Sequence, residues 1–287
     1  MEQVLVSGSA GFIGHHLVRA LKKRGYHVIG VDNLSGGNEN YAAEASEFKC
    51  CDIGDLVASD LKDIKYVFHL AALPRVPYSI EHPRRTHNAN VDETLDVLIA
   101  SRDAGVKKFI YSSSSSVYGG NETFPTPEDV ALKPLSPYAI QKLASEMYAE
   151  NFRTIYGLQT ASLRYFNVFG EEQDASNPYT GVITKFLELA KQGKSLTIYG
   201  DGEQRRDFTY VQDVVEANIL LAESENVGVF NCGTGVNTSV NEIAHAISNN
   251  IEYQKARKGD PLISLADNSK LKSIGWNPTT DVASWLE

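Results

Sequence analysis

VLVSGSAGFIG, residues 4–14, runs from an apolar stretch into a glycine-rich turn and then into a helical pattern from about Phe12 to Arg24. Glycines stand at positions 8, 11 and 14. In a strand–turn–helix unit they permit a tight turn, close approach of backbone to a pyrophosphate, and close helix–strand packing. The spacing is GxxGxxG rather than GxGxxG, so alone it is a weak signal, and packing explains any one of these glycines equally well. The next strand, HVIGVD (27–32), adds the second half of the pattern. Asp32 lies 18 residues beyond Gly14, where a carboxylate accepts hydrogen bonds from both hydroxyls of an adenosine ribose. It would repel a 2′-phosphate, and Asn33 brings no compensating arginine, so the pattern points to NAD rather than NADP. Asp52 and Ile53, at the end of a third strand EFKCCD (47–52), are placed to meet the adenine.

Further strands follow at YVFHLAA (66–72), KFIYSSS (108–114) and TASLRYFNV (160–168). Between them a long helix places Val91, Leu95, Leu98 and Ile99 on one face. Near-continuous apolar strands alternating with helices indicate an α/β protein with a doubly wound parallel sheet buried on both faces. After Asn167 the character changes. Residues 170–182 read as loop, followed by a helix at 183–192, a strand SLTIYG, the loop DGEQRRD, and a helix FTYVQDVVEANILLAES (208–224). VGVFNCG (227–233) reads as a strand returning to the first domain. The expected organisation is a dinucleotide-binding domain over 1–166, joined by 209–236, and a smaller α/β lobe over 167–208 and 237–287.

The bulk numbers exclude several classes. With 287 residues, the chain is long enough for a sizeable core, and its 42% hydrophobic and 22% charged content is that of a globular protein. A net charge of −9 argues against a nucleic-acid binder. No apolar run approaches the ~20 residues of a membrane span. The N-terminus enters a strand without a basic segment, so no signal peptide is expected. Three cysteines without CxxC spacing suit a reducing cytoplasm. The seven histidines show no metal spacing; His15 and His16 are adjacent and the others scattered, so they read as structural or surface residues, and no metal is expected.

PLSPYAIQK (134–142) begins another helix. Ser136 suits the N-cap, Pro137 the first helical position, and Gly157 the C-terminal stop. Tyr138 and Lys142, four residues apart, then share one face of its first turn. A helix built only for packing has no need of that pair, although a lone YxxxK is more often a polar-tipped Tyr beside a solvated Lys.

The segments GSAGFIG, DNLSGG, CDI (51–53), HLAAL, SSSSSVYG, SPYAIQK, LRYFNVFG, LTIYGDGEQRRDF and KGDPLISLAD occur in this order along almost the whole chain. Together they resemble the extended short-chain dehydrogenases/reductases, and within them the nucleotide-sugar 4-epimerases. The resemblance implies a Rossmann-type fold with a second, smaller substrate lobe. It also implies tightly held NAD, a UDP-sugar substrate, and homodimerisation through helices at about 86–104 and 138–156. It marks Ser114, four residues before Tyr118, with Tyr138 and Lys142, as the catalytic trio. It places the cofactor against Gly8, Gly11, Phe12, Ile13 and Gly14. Asp32, Asn33, Ser35 and Gly36, then Asp52 and Ile53, continue that site. Leu70, Ala71, Ala72, Asn90, Ser112, Tyr165 and Val168 complete it with Tyr138 and Lys142. For the substrate it implies Ser114, Asn167, Val182, Thr197, Tyr199, Arg206, Arg257, Asp260 and Ser264.

The expected reaction inverts C4 of a UDP-hexose through a transient 4-ketosugar. An unperturbed phenol has a pKa of ~10, so a Tyr138 base near pH 7 requires ~4 kcal/mol of preferential phenolate stabilisation. Lys142 and the nicotinamide act in that direction. Arg206 and Arg257 suit a pyrophosphate because guanidinium is planar and permanently charged. In the resemblance the residue four beyond Asp260, Ser264, lines the pocket near C2 of the hexose. A small residue there favours the UDP-GlcNAc/UDP-GalNAc pair alongside UDP-Glc/UDP-Gal. The chain departs from the family at Leu262, where many relatives carry arginine, and it ends soon after WNPTTD, so the last helix usual among relatives is expected to be missing. Ser115 and Ser116 stand where a 4,6-dehydratase has its Asp–Glu pair and a decarboxylase its Glu, which disfavours both. The alternatives are an NAD(P)H-dependent 4-ketosugar-nucleotide reductase, which shares the trio but consumes cofactor, and a non-catalytic NAD-sensing protein on the same fold.

Overall fold

The computed structural model describes residues 1–74, 76–175, 180–256 and 262–287. Arg257 and Asp260 lie outside the described residues. Twelve strands are present among them: β1 (Gln3–Ser7), β2 (His27–Val31), β3 (Glu47–Lys49), β4 (Ile64–His69), β5 (Lys108–Ser114), β6 (Gln159–Tyr165), β7 (Asn167–Phe169), β8 (Leu196–Tyr199), β9 (Arg205–Tyr210), β10 (Gly228–Cys232), β11 (Asn237–Ser239) and β12 (Ile251–Gln254). Seven form one sheet in the order β10-β6-β5-β4-β1-β2-β3, every pair parallel. The order reverses between β1 and β4, and in such sheets the ligand crevice lies outside the carboxyl ends of the strands at this reversal.

Side-chain alternation splits the sheet into two cores. Val4, Val6, Phe68 and Ile110 face helices Phe12–Lys23 and Val211–Glu223, contacting Leu17, Leu21 and Val214. Leu5, Val67 and Phe109 face the opposite way, toward Leu98 of helix Glu93–Asp103 and Phe152 of helix Pro137–Tyr156. Both faces are covered, which is why the strands read as apolar runs. The remaining strands form two small sheets, β11-β9-β7 and β12-β8. Phe169, Ile183, Phe186, Leu196, Ile198, Val240 and Ile243 form a separate core between them. No helix among the described residues is long and apolar enough to cross a membrane.

Four elements differ from the sequence reading. The expected strand 160–168 is two strands, because Phe166 leaves the sheet, its N–H bonded to Cys232 O, and packs with Tyr118 and Ala266. FTY (208–210) is not helical: these β-forming residues extend β9 against β7, and the helix begins at Val211. The helix expected through residues 91–99 is interrupted by a π-helical turn, Asn88–Asp92, before Glu93–Asp103. Within Glu93–Asp103 the buried face runs through Thr94, Val97, Leu98 and Ser101, which leaves Ile99 exposed. At the C-terminus, Asp281 caps a short helix, Val282–Leu286, where none was expected.

Candidate active site

The β1 turn is built as its glycines require. Gly8 has φ +69, and a Cβ there would stand 2.8 Å from Ala71 N. A Cβ on Gly14 would stand 2.0 Å from Gly8 O, so only glycine lets the helix sit this close to the strand. Above Gly11 a Cβ would meet only Gly8 O, at 3.2 Å, leaving the outer side of the turn open for a phosphate. Asp32 Oδ1 accepts the Leu34 N–H at 2.8 Å and Oδ2 the Ala10 N–H at 3.1 Å. Each oxygen keeps a further acceptor position, which suits ribose hydroxyls. The residues present therefore fit a dinucleotide.

Other residues of this edge have additional work. Asn33 donates to Asp52 Oδ1 at 2.6 Å and accepts from the Ser35 N–H, tying the ends of β2 and β3 together. Ile53 is buried in the core. Ser7 Oγ accepts the Leu70 and Ala71 N–H groups, both at 3.1 Å, beside Ala72. Asn90 is buried with its amide turned inward: Oδ1 accepts the Leu73 N–H at 2.7 Å, and Nδ2 donates to Gln141 Oε1 at 2.9 Å. Gly36 is open, whereas Gly37, the last residue of the DNLSGG segment, abuts Ala10 and Asp32. Tyr165 donates to Asn218 Oδ1 at 2.9 Å, and Val168 is half-buried.

The serine run resolves into distinct positions at the end of β5. Ser112 O accepts from Lys142 Nζ at 2.7 Å. Ser113 Oγ donates to Glu146, which forms a buried ion pair with Arg164 at 2.6 Å. Ser114 caps the turn Ser115–Tyr118 by accepting the Ser116 N–H at 3.2 Å, and it pairs across the sheet with Tyr165. The helix Pro137–Tyr156 begins as the sequence indicates: Ser136 Oγ accepts the Ala139 N–H, and Gly157 ends it with φ 75. Tyr138 and Lys142 are both buried, the Tyr138 N–H bonded to Ser79 Oγ at 3.1 Å. Burial lowers the Lys142 ammonium from 10.5 to about 7. Its charge is therefore costly when alone, and a phenolate at Tyr138 is a partner that would restore it.

Two residues beyond β6, Asn167 opens onto a second feature, a cavity of about 270 Å³. Asn167, Val182, Thr197, Tyr199 and Arg206 all line it, as do Gln173 and Gln204, which the sequence reading missed. Asn167 Nδ2 is held by Asp207 O at 3.1 Å and Thr197 Oγ1 by Glu252 at 2.8 Å. Neighbouring Arg205 turns away, to Asn237 and Glu242. Ser264 does not line the cavity; its N–H pairs with Arg205 O at 3.0 Å, beside the bridge between Ile263 and Arg205. Asp207, also missed, is fully buried and accepts from Thr234, Gly235 and Ala266, fixing the segment after Ser264. Burial pushes its carboxyl up, and those donors hold it down. A carboxylate at an inward strand position, directly after two arginines, was the available signal.

His15, His16 and Glu172 bring ligand-type atoms within 4.8 Å of one another. Their polar atoms are committed to Gly11 O, Glu171 O, Gln212 and Arg19, which leaves the group an internal network rather than a laid-out metal centre.

A seven-stranded parallel sheet with a glycine turn, a strand-end acid, and Ser114, Tyr138 and Lys142 on its carboxyl side defines an extended short-chain dehydrogenase/reductase. The family model "NAD dependent epimerase/dehydratase family" matches residues 4–233. The chain belongs to this family, and NAD is its cofactor. It is 38% identical to a putative UDP-glucose 4-epimerase of Methanocaldococcus jannaschii, over 99% of this chain and 96% of the relative. Among solved structures, a UDP-N-acetylglucosamine 4-epimerase from Methanobrevibacter ruminantium, in complex with UDP-N-acetylmuramic acid, superposes with a TM-score of 0.95 at 42% identity, over 99% and 96% of the two chains. A UDP-glucose 4-epimerase from Thermotoga maritima, with UDP-glucose, gives 0.94 at 40% identity over the same shares.

Proposed function

We propose that the protein inverts C4 of a UDP-hexose through a transient 4-ketosugar. The observation that carries this reading is one of connection. The buried Tyr138–Lys142 turn and Ser114 meet the carboxyl edge of the sheet where β6 runs through Asn167 into the cavity lined by Arg206. Bound NAD supplies the hydride acceptor and donor. Tyr138 takes the proton of the sugar 4-hydroxyl and returns it to the same oxygen when hydride comes back to C4 from the opposite face, while Ser114 holds the reacting oxygen. Lys142 stabilises the phenolate. Arg206 and Asn167 grip the pyrophosphate, and Thr197 and Tyr199 approach the uracil, so the nucleotide stays anchored while the ketosugar turns over. Arg257, Asp260, Val182 and the cofactor-edge residues keep the roles that the resemblance implies.

For the substrate, the favoured reading is the UDP-GlcNAc/UDP-GalNAc pair, with UDP-Glc/UDP-Gal also accepted. The likeness to a structure titled as a UDP-N-acetylglucosamine 4-epimerase supports it. Incubation with UDP-GlcNAc and UDP-Glc, with products resolved by NMR, tests the reading; a reductase would instead oxidise NAD(P)H in step with product. The chain is read as two interleaved lobes, 1–166 with 209–236, and 167–208 with 237–287. A homodimer fits the exposed stripe Ile140, Met147 and Ile155 on the helix carrying Tyr138, which sedimentation would check. Free Cys50, Cys51 and Cys232 suit a reducing, cytoplasmic setting.

A further inference from the structure

The segment Glu171–Gln173 touches both ligand regions. Arg19, on the helix that follows the glycine turn, grips Glu172 with two nitrogens: Nη1 on Oε2, and Nη2 at 3.1 Å from Oε1. The same guanidinium holds Glu44 at 2.6 and 2.7 Å. His15 lies between the turn and the loop, with Nδ1 2.9 Å from Gly11 O and Nε2 3.2 Å from Glu172 Oε2. It is fully buried and stacks on Tyr41 at 3.9 Å. His16 Nε2 reaches Glu171 O at 3.2 Å. The very next residue, Gln173, lines the cavity and accepts from Thr184 Oγ1 at 2.5 Å.

Glu172 itself sits at φ 61, a left-handed conformation that a non-glycine residue adopts at a cost. Such strain persists only where surrounding contacts impose it, and it concentrates at ligand clamps. Arg19 first, and His15 with it, hold the Glu172 carboxyl down to about 2, so it stays ionised through the working range. Glu172 and Arg19 are each more than a third exposed, and exposed ion pairs add little stability. The exposed Arg19–Glu172 pair therefore contributes little to stability, and its evident structural consequence is the place of the next residue, Gln173, on the cavity wall.

We propose that Glu172 is a positioning residue for the nucleotide-sugar: through Arg19 and His15 it hangs the cavity wall at Gln173 on the helix that carries the dinucleotide turn. The inference rests on reading that cavity as the UDP-sugar site. The test uses NAD-loaded protein, with UDP titrated by calorimetry and turnover measured on UDP-GlcNAc and UDP-Glc. Glu172→Gln should weaken UDP binding and raise KM about five- to tenfold, with kcat within about twofold of wild type. Arg19→Gln should do the same, and the double variant should be no worse than either single, because both remove one link. Lys65→Gln, which breaks an exposed pair with Glu2 elsewhere, should change neither constant. Unchanged UDP affinity in Glu172→Gln, or effects that multiply in the double variant, would overturn the proposal. Failure of the wild-type protein to bind UDP would instead overturn the reading of the cavity.

Discussion

At the carboxyl edge of the large sheet, the residues singled out sit within a few positions of a strand end or a helix cap: Gly8 after β1, Asp32 after β2, Ser114 ending β5, Tyr138 two residues past the Ser136 cap. In the cavity, Asn167, Val182, Thr197, Tyr199 and Arg206 come from β7, a helix, β8 and β9, and the supports behind them are distant in sequence. Asp207, for example, reaches Ala266 across 59 positions. The first region is specified by local rules of strand ends, turns and caps. The second depends on which strands of the small sheets find one another. Substitutions at the edge should therefore damage chemistry or folding, while those in the cavity should damage affinity and selectivity.

Tyr138→Phe gives the largest expected effect. The ring and the helix cap remain, so the fold and NAD should be kept, while kcat falls about 10²–10⁴-fold with the loss of the proton acceptor. Near-wild-type epimerisation would end the assignment of Tyr138. Glu146→Gln, behind Ser113 on the same helix, should act on folding instead. It leaves Arg164 charged and buried without its carboxylate, costing about 3–5 kcal/mol in a denaturant titration. On the cavity side, Arg206→Ala should weaken UDP binding by about 2–4 kcal/mol in calorimetry and barely alter NAD. The reverse pattern would move Arg206 to the cofactor region and erase the contrast.

Ser264→Tyr probes a position that the resemblance puts beside the hexose and that the structure leaves outside the cavity. If Ser264 gates the acetamido group, a tyrosine should cost about 1–3 kcal/mol in transition-state binding of UDP-GlcNAc and spare UDP-Glc. Equal loss on both sugars, or on neither, refutes the gate. A further test concerns pH. Lys142 has a native pKa of about 7 against 10.5 for the unperturbed group, so between these values the unfolded chain binds a proton that the NAD-free native protein lacks. Native stability should therefore rise with pH through that window and be lowest below it. Lys142→Met should flatten this rise; an unchanged slope would show that the lysine is not buried as described.

The sequence made the edge legible because its determinants are short-range. The Ser136 cap, Pro137 and Gly157 act as read, and the strand-end position of Asp32 follows from one apolar run. The misplacements have physical causes. Phe-Thr-Tyr at 208–210 abuts a helical pattern in sequence, but its strand partner β7 is about forty residues away. The π-turn at Asn88–Asp92 carries no breaker residue, so nothing local announced it. Ser264 was placed by counting from Asp260, whereas its neighbours are set by pairing with Arg205.

The central claim is tested most directly by following the hydrogen at C4. NAD-loaded protein is given UDP-GlcNAc deuterated at C4, and the product is examined by NMR while nicotinamide absorbance is recorded. The account predicts UDP-GalNAc that keeps its deuterium at C4, with no net reduction of NAD and no label in the solvent. Product that has lost the label to water, or cofactor turned over in step with product, would contradict it.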